Sequence, residues 1–397
     1  MCMRTRRFVL VFSLLVAAPI IAVAAPFPAP PVVTGTLGIN IHFSDSPKLM
    51  DMVKAEGVHF IYMDFTWPSV EHVKGQYDFS AADKLYDQIA SRGMQANFLL
   101  DRNNSFYGTD PTKTEWLQGY AHFAAAAAAH FKGKGVVWEL WGEADNPPNW
   151  VSGTYSPSQY MAMVRVAAPA MHRADPTCKI VAPGTTGVNL SYLKTCMQEG
   201  LLDLVDGVGV DPYRQNPYHA HSSNGTPESL VSDYAQLRAD MRRYGGKTLP
   251  IVCSELGWSS DAAEGGLKIQ TQGDYVARMF LVNLSQGVPL SNWYTFQDAA
   301  PQGTTNPEWA YGTVNSDLTL KPAYREMQLL ATSLRGATFS QKLDDGNLSD
   351  WLLVFKTPAG HKTLAAWTTG DAHVATVSGW GTVSLSHTPT YITPVPK

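Results

Sequence analysis

Hydrophobic and polar positions along this chain switch repeatedly between two periods. Apolar runs with little polar alternation fall near residues 36–42, 58–64, 95–100, 136–142, 179–183, 206–211, 250–255 and 290–296, and read as strands buried on both faces. Helical patterns follow them near 46–56, 80–92, 113–131, 157–173, 189–200, 227–244, 271–286 and 321–333. Asp110-Pro111, Ser156-Pro157 and Thr226-Pro227 supply a cap or a first-turn proline for three of these helices, and the run Ala124–Ala129 is a strong helix former. Eight such alternations predict an α/β chain closed into a (β/α)8 TIM barrel, with function at the carboxyl ends of its strands. After about residue 335 the period changes. WLLVFKT, KTLAAWTT and HVATVSG look like short strands separated by Gly, Asp and Asn turns, too little chain for an independent domain. They predict a small C-terminal β-sandwich subdomain docked on the barrel, with a separate carbohydrate-binding module as the alternative. The expected division is a signal peptide at 1–24, a Pro-rich segment at 25–35, the barrel at 36–333 and the β subdomain at 334–397.

The N-terminus stands outside this pattern. Arg4, Arg6 and Arg7 precede an apolar run from Phe8, and Ala22-Val23-Ala24 is a small-residue cleavage site. Pro19 and the prolines after Ala25 favour cleavage over a retained anchor, and no later apolar run is long enough to span a bilayer. The expected location is secreted or periplasmic, without membrane attachment after cleavage. Loss of the three arginines takes the formal charge from −4 to −7. An acidic chain with no basic block is a poor nucleic-acid binder. The eleven histidines show no metal-ligand spacing, so neither metal nor cofactor is expected, and the chain is expected to be a monomer. Cys178 and Cys196 could pair in an oxidising compartment, or could stay free. Cys253 lies two residues before Glu255 and by strand alternation shares its inward face, as a small buried thiol.

Two segments carry the candidate chemistry. WELWGEADNP holds Glu143 and IVCSELGWSS holds Glu255, 112 positions later. Each is an apolar run ending in a glutamate beside a tryptophan and a glycine. A lone glutamate at a strand end is usually solvated or paired. Two, delivered from different buried strands to one cleft, match the needs of glycosidic bond cleavage: a protonated acid at the leaving oxygen and an ionised carboxylate on the opposite face of the sugar. Glu139 rivals Glu143, since both could project from one strand face; Glu143 is preferred because it sits at the exit of the run, before Asp145-Asn146-Pro147-Pro148. No Gly-x-Ser-x-Gly elbow supports a different hydrolase chemistry.

These segments resemble the acid/base and nucleophile motifs of the retaining (β/α)8-barrel glycoside hydrolases of clan A, which include the cellulase-like family 5 and the xylosidase-like family 39. Their usual forms are W-E-x-W-N-E-P and x-x-x-x-E-x-G-W. MDFTWPSVEHVKGQYDFS, DGVGVDPYR, WYTFQD and EWAYGTVNSDLTLKPAYREM resemble further stretches of the same barrel, so that the likeness runs over about 36–333. The resemblance implies a carbohydrate substrate, Glu143 as acid/base and Glu255 as nucleophile. It also implies Trp293 as the aromatic floor of the sugar subsite and Tyr213 as a donor to Glu255. Asp211, Trp67, Trp141, Trp258, Trp309 and Glu308 are further candidates for lining the cleft, against ordinary core or solvated roles.

Three departures fall around one subsite. The clan usually places Asn before the acid/base, where it meets the sugar 2-hydroxyl; here it is Gly142. His-x-Tyr on the sixth strand is replaced by Asp211-Pro212-Tyr213, and an Arg on the second strand by Tyr62. Either the subsite is rebuilt for a sugar with a different 2-substituent or configuration, or hydrolysis is lost and the barrel only binds glycan. Survival of both carboxylates favours the enzyme.

Overall fold

The computed structural model describes residues 27, 29–147, 149–150, 156–214, 225–261, 266–301 and 309–394. Eight strands close in sequence order into a parallel barrel: β1 (Leu37–Asn40), β2 (Phe60–Thr66), β3 (Gln95–Asp101), β4 (Val137–Leu140), β5 (Lys179–Thr186), β6 (Gly207–Asp211), β7 (Ile251–Leu256) and β8 (Ser291–Trp293). The outer helices are α1 (Pro47–Glu56), α2 (Trp67–Val70), α3 (Ser80–Ala90), α4 (Thr114–His130), α5 (Pro157–Ala174), α6 (Leu190–Gln198), α7 (Leu230–Gly245), α8 (Ile269–Ser285) and α9 (Pro322–Ser333). Ser46 caps α1 by accepting from the Leu49 N–H, with Pro47 in the first turn. α4 starts at Thr114, later than Asp110-Pro111 suggested, because the Asp110 carboxylate is taken up by the backbone N–H and hydroxyl of Thr112. Thr226-Pro227 likewise opens a 3-10 turn that leads into α7. Among the described residues no helix is long and apolar enough to cross a membrane.

The barrel interior changes character from bottom to top. At the amino ends of the strands Phe60, Val137, Val181, Val252 and Leu290 pack with Phe27, which comes from the segment before β1 and closes the floor. One layer higher the contents are amides: Asn292 donates to the Asn97 side chain (3.1 Å) and to the Ser254 carbonyl (2.9 Å). At the carboxyl ends the inward residues are mainly carboxyls and tyrosines. A dry floor and a paired amide layer hold the strand ends in register, so residues projecting from several strands meet at fixed positions.

Beyond α9 lies a sheet of order β14-β11-β10-β9, formed by β9 (Thr338–Leu343), β10 (Asp350–Lys356), β11 (Lys362–Thr368) and β14 (Thr390–Ile392). A hairpin of β12 (His373–Val377) and β13 (Gly381–Leu385) packs on it. Strand alternation decides the docking. Leu353, Phe355, Ala365 and Trp367 face the barrel and merge with its core, while Leu352, Val354, Leu364 and Ala366 face the hairpin. The sheet covers the outer side of α8, whose residues Gln272–Leu284 are nearly all buried as a result. Arg278 of α8 makes a two-pronged pair with Glu228 (2.6 and 2.7 Å), and Trp367 of β11 donates to the same carboxylate (2.8 Å). Burial opposes the charge on Glu228, yet these partners hold its carboxyl below the usual range. This subdomain is docked, not tethered.

Candidate active site

The carboxyl ends of the strands enclose a cleft of about 360 Å³. Glu143 and Glu255 both line it, as do Asp211 and Tyr213.

Glu143 reaches the cleft through an unusual turn. After β4 the backbone enters the left-handed region at Trp141 (φ 61°) and again at Glu143 (φ 48°), a cost of about 1–3 kcal/mol each for residues with a Cβ. Three contacts hold the turn. The Trp141 N–H donates to the Leu100 carbonyl (3.1 Å), the Trp141 indole to the Asn149 carbonyl (2.8 Å), and the Glu143 N–H to the Gly184 carbonyl (2.7 Å). Gly184 sits at an irregularity in β5, has φ +59°, and approaches Glu139 so closely that a Cβ there would lie 2.0 Å from a carboxyl oxygen. The Glu143 carboxyl accepts from Asn149 (2.7 Å) and Asn146 (3.3 Å) on one oxygen, while Oε1 is buried without a partner. Burial, then the Asp145 charge, raise its pKa against the opposing asparagine hydrogen bonds.

Glu255 owes its position to a bulge. The pairing of β7 with β8 slips between Cys253 and Leu256. Strand alternation had put Cys253 and Glu255 on one face. Instead Cys253 points outward, where its thiol meets Tyr234 of α7 and Asn283 of α8, while Glu255 turns into the cleft. Asn40 of β1 donates to Glu255 Oε1 (3.0 Å) and the Tyr213 hydroxyl donates as well. Burial pushes Glu255 well above the usual carboxylate range, the Glu143 and Asp64 charges add to this, and the two donors oppose it. Two buried carboxyls, of which the Glu143 charge raises Glu255, cannot both ionise cheaply, so the free cleft favours keeping one of them protonated.

Glu139 belongs to this group without lining the cleft. It is fully buried below Glu143, and its carboxyl is pushed up to about 8 by burial, an effect only partly offset by the Ser254 hydroxyl and the Tyr62 phenol that face it. The folded chain therefore binds a proton here more tightly than the unfolded chain. This contribution to stability is complete below the ordinary Glu value of 4.5 and is lost as pH rises through about 8. In Glu139→Gln the slope between those limits is expected to flatten, read as a smaller fall of the urea midpoint from pH 5 to pH 8 than in the parent. An equal fall in both proteins would remove Glu139 from this role.

The tryptophans are placed differently from the expectation. Trp293 is fully buried; its indole stacks on Trp258 (6.0 Å) and donates to the Tyr311 carbonyl (3.0 Å), behind the cleft wall. Trp67 stacks on Phe123 and Trp141 packs edge-on to Trp150, both in the core between barrel and α4–α5. None of Trp67, Trp141, Trp258 and Trp293 lines the cleft. Tyr294, one residue past Trp293, does so together with Tyr213 and Tyr311, with ring centroids 5.5–6.4 Å apart. Trp309 is 40% exposed and lies outside the cleft lining; Glu308 falls outside the described residues. Cys178, Cys196 and Cys253 are free and buried. Among the described residues no group of His, Cys, Asp or Glu is arranged to hold a metal ion.

Sequence reading missed the second half of the lining. Asp64, Asp101 and Arg102 form one wall, with Arg102 Nε 3.2 Å from Asp101 and Nη2 4.0 Å from Asp64. Leu99 and Asp101 lie two and four residues after inward-facing Asn97, so alternation along β3 would have found them. Leu99 also bears on Gly142: a Cβ there would lie 3.1 Å from Leu99 Cδ2, so leucine would have to give by a few tenths of an ångström to admit a side chain. Gly142→Asn is therefore expected to bring no gain on a plain aryl β-glucoside and to cost about 1–3 kcal/mol of stability through overpacking. A large rise in kcat on the glucoside would show that the site had merely lost an ordinary asparagine.

No protein-family model matches the sequence. The fold does find relatives among solved structures. A family 39 glycoside hydrolase from Bacteroides cellulosilyticus superposes with a TM-score of 0.74 at 20% identity, covering 92% of this chain and 82% of that one. A monomeric β-xylosidase from Caulobacter crescentus gives 0.63 at 16% identity, with 88% and 77% covered. A family 30 endoxylanase from Clostridium papyrosolvens gives 0.62 at 12% identity, with 94% and 98% covered. The chain thus shares the closed barrel fold of the clan A glycoside hydrolases, families 39 and 30 among them.

Proposed function

We propose that the protein is a retaining glycoside hydrolase acting on β-linked oligo- or polysaccharide, with Glu255 as nucleophile and Glu143 as acid/base. The observation that carries this reading is the meeting of the two carboxyls, from the ends of β4 and β7, in one open cleft. Their surroundings fit the two roles. Glu255 faces two donors, Asn40 and Tyr213, which favour its ionised form and fix its orientation. Burial favours the protonated form of Glu143, the form in which it can give a proton to the leaving oxygen. In the first step Glu255 attacks the anomeric carbon as Glu143 protonates the departing oxygen. In the second, Glu143 takes a proton from water, which displaces Glu255 from the sugar. The β-xylosidase and endoxylanase among the fold relatives favour a β-linked substrate. The reading is tested by turnover of a panel of 4-nitrophenyl β-glycosides and β-linked polysaccharides; no turnover of any member would leave a glycan-binding barrel in its place. Export with cleavage near Ala24 belongs to the same proposal, and an intact N-terminus on exported protein would count against it.

A further inference from the structure

Catalysis as proposed needs two carboxyls, but the cleft wall presents five: Asp64, Asp101, Glu143, Asp211 and Glu255. Against them stand Arg102, already paired with Asp101 and Asp64, and His42, whose burial disfavours its charged form. A metal ion is a poor counter-charge, since no described group is arranged to hold one. Asp211 is the most telling of the five. It lines the cleft, is only 2% exposed, and its Oδ1 has no hydrogen-bond partner. The amide donors at hand are committed elsewhere, Asn40 to Glu255 and Asn149 to Glu143. The wall is thus unusually rich in carboxyl acceptors. A hydroxyl both gives and takes hydrogen bonds, whereas an ammonium group only gives them, three at a time.

We propose that the cleft takes a 2-amino sugar, with the protonated amine held by Asp211. This rests on the glycosidase reading and deepens it. The ring position follows from neighbours. Asp211 lies close enough to Glu139, Glu255 and Glu143 for their charges to act on it, and of these Glu255 and Glu143 share the cleft lining with it. Glu255 faces the anomeric carbon. Of the two ring atoms next to that carbon, one is the ring oxygen and bears no substituent; the other is C2. An ammonium there lets Asp211 ionise, and burial strengthens the pair relative to water. Gly142, which lines the cleft, carries no side chain to serve a 2-hydroxyl as an asparagine would.

The test compares methyl 2-amino-2-deoxy-β-glucoside, its N-acetyl form and methyl β-glucoside at pH 6, by calorimetry on the parent protein and on Asp211→Asn. The 4-nitrophenyl analogues are assayed alongside. The amine is expected to bind about 10-fold tighter or more than the neutral sugars, as a charge-assisted hydrogen bond gives. Asp211→Asn should erase that preference, so that the amine and the neutral sugars bind with equal affinity. If Asp211→Asn does not fold, the parent decides: its preference should vanish above the pKa of the amine. Equal affinity for amine and glucoside, or a preference untouched in Asp211→Asn, overturns the proposal. Turnover of neutral glycosides with no amine preference sinks it alone. Absence of all turnover sinks the glycosidase reading, while the binding comparison still decides the amine.

Discussion

Glu255→Ala is expected to lose hydrolysis of every glycoside by about 10⁵-fold or more, because no other described carboxyl stands in for a nucleophile held by Asn40 and Tyr213. The variant keeps its acid and gains a small space at the sugar's reacting face. Added azide should enter that space and yield a glycosyl azide of inverted configuration. Because burial and Glu143 together press Glu255 toward its neutral form, its removal also relieves charge in the cleft. The variant is therefore expected to be at least as stable as the parent in urea, which separates loss of chemistry from loss of fold. Activity within a few-fold of the parent, in protein purified free of it, would take Glu255 out of the mechanism.

Glu143→Ala should fail in a different way. A leaving group of high basicity needs a proton as it departs, so methyl or oligosaccharide substrates are expected to lose about 10³–10⁴-fold. A 2,4-dinitrophenyl glycoside leaves without help and should keep its first step, with deglycosylation becoming limiting for want of a base. Azide should speed that second step and give a product of retained configuration, the opposite of the Glu255→Ala outcome. The pH profile adds a further reading. The raised Glu143 carboxyl must be protonated to act, so parent activity falls as pH rises through its pKa, and this alkaline limb should disappear for the activated substrate in the variant. An equal loss on good and poor leaving groups would contradict the assignment.

How much of this was legible in the sequence depends on which physical rule acted. The barrel was, because eight strand runs and eight helical patterns lie where the period changed, and the docked β sheet was, because β10 and β11 alternate cleanly between two apolar faces. The two glutamates were found by their places at strand exits. What failed was side-chain direction. Strand alternation placed Cys253 beside Glu255, and the β7 bulge separated them; a bulge of one residue leaves no mark in an apolar run. Trp293 and Tyr294 show the same limit for aromatics. Both stand at the end of β8, but the wholly apolar face of tryptophan is better spent against Trp258, and the hydroxylated ring turns to the polar cleft. The left-handed turn at Trp141 and Glu143 depends on the Gly184 carbonyl from another strand, which no local pattern shows. Asp101 and Leu99 were readable from the alternation of β3, and their importance emerged only when Arg102 and Gly142 were placed beside them.

The central claim is double displacement through Glu255, and the stereochemistry of the first-formed product tests it most directly. Proton NMR of the anomeric region, recorded as the parent enzyme turns over its best aryl β-glycoside, distinguishes the two outcomes before mutarotation mixes them. The account predicts that the β anomer of the free sugar appears first and the α anomer only later by equilibration. Initial appearance of the α anomer would mean a single displacement by water and would contradict a covalent intermediate on Glu255.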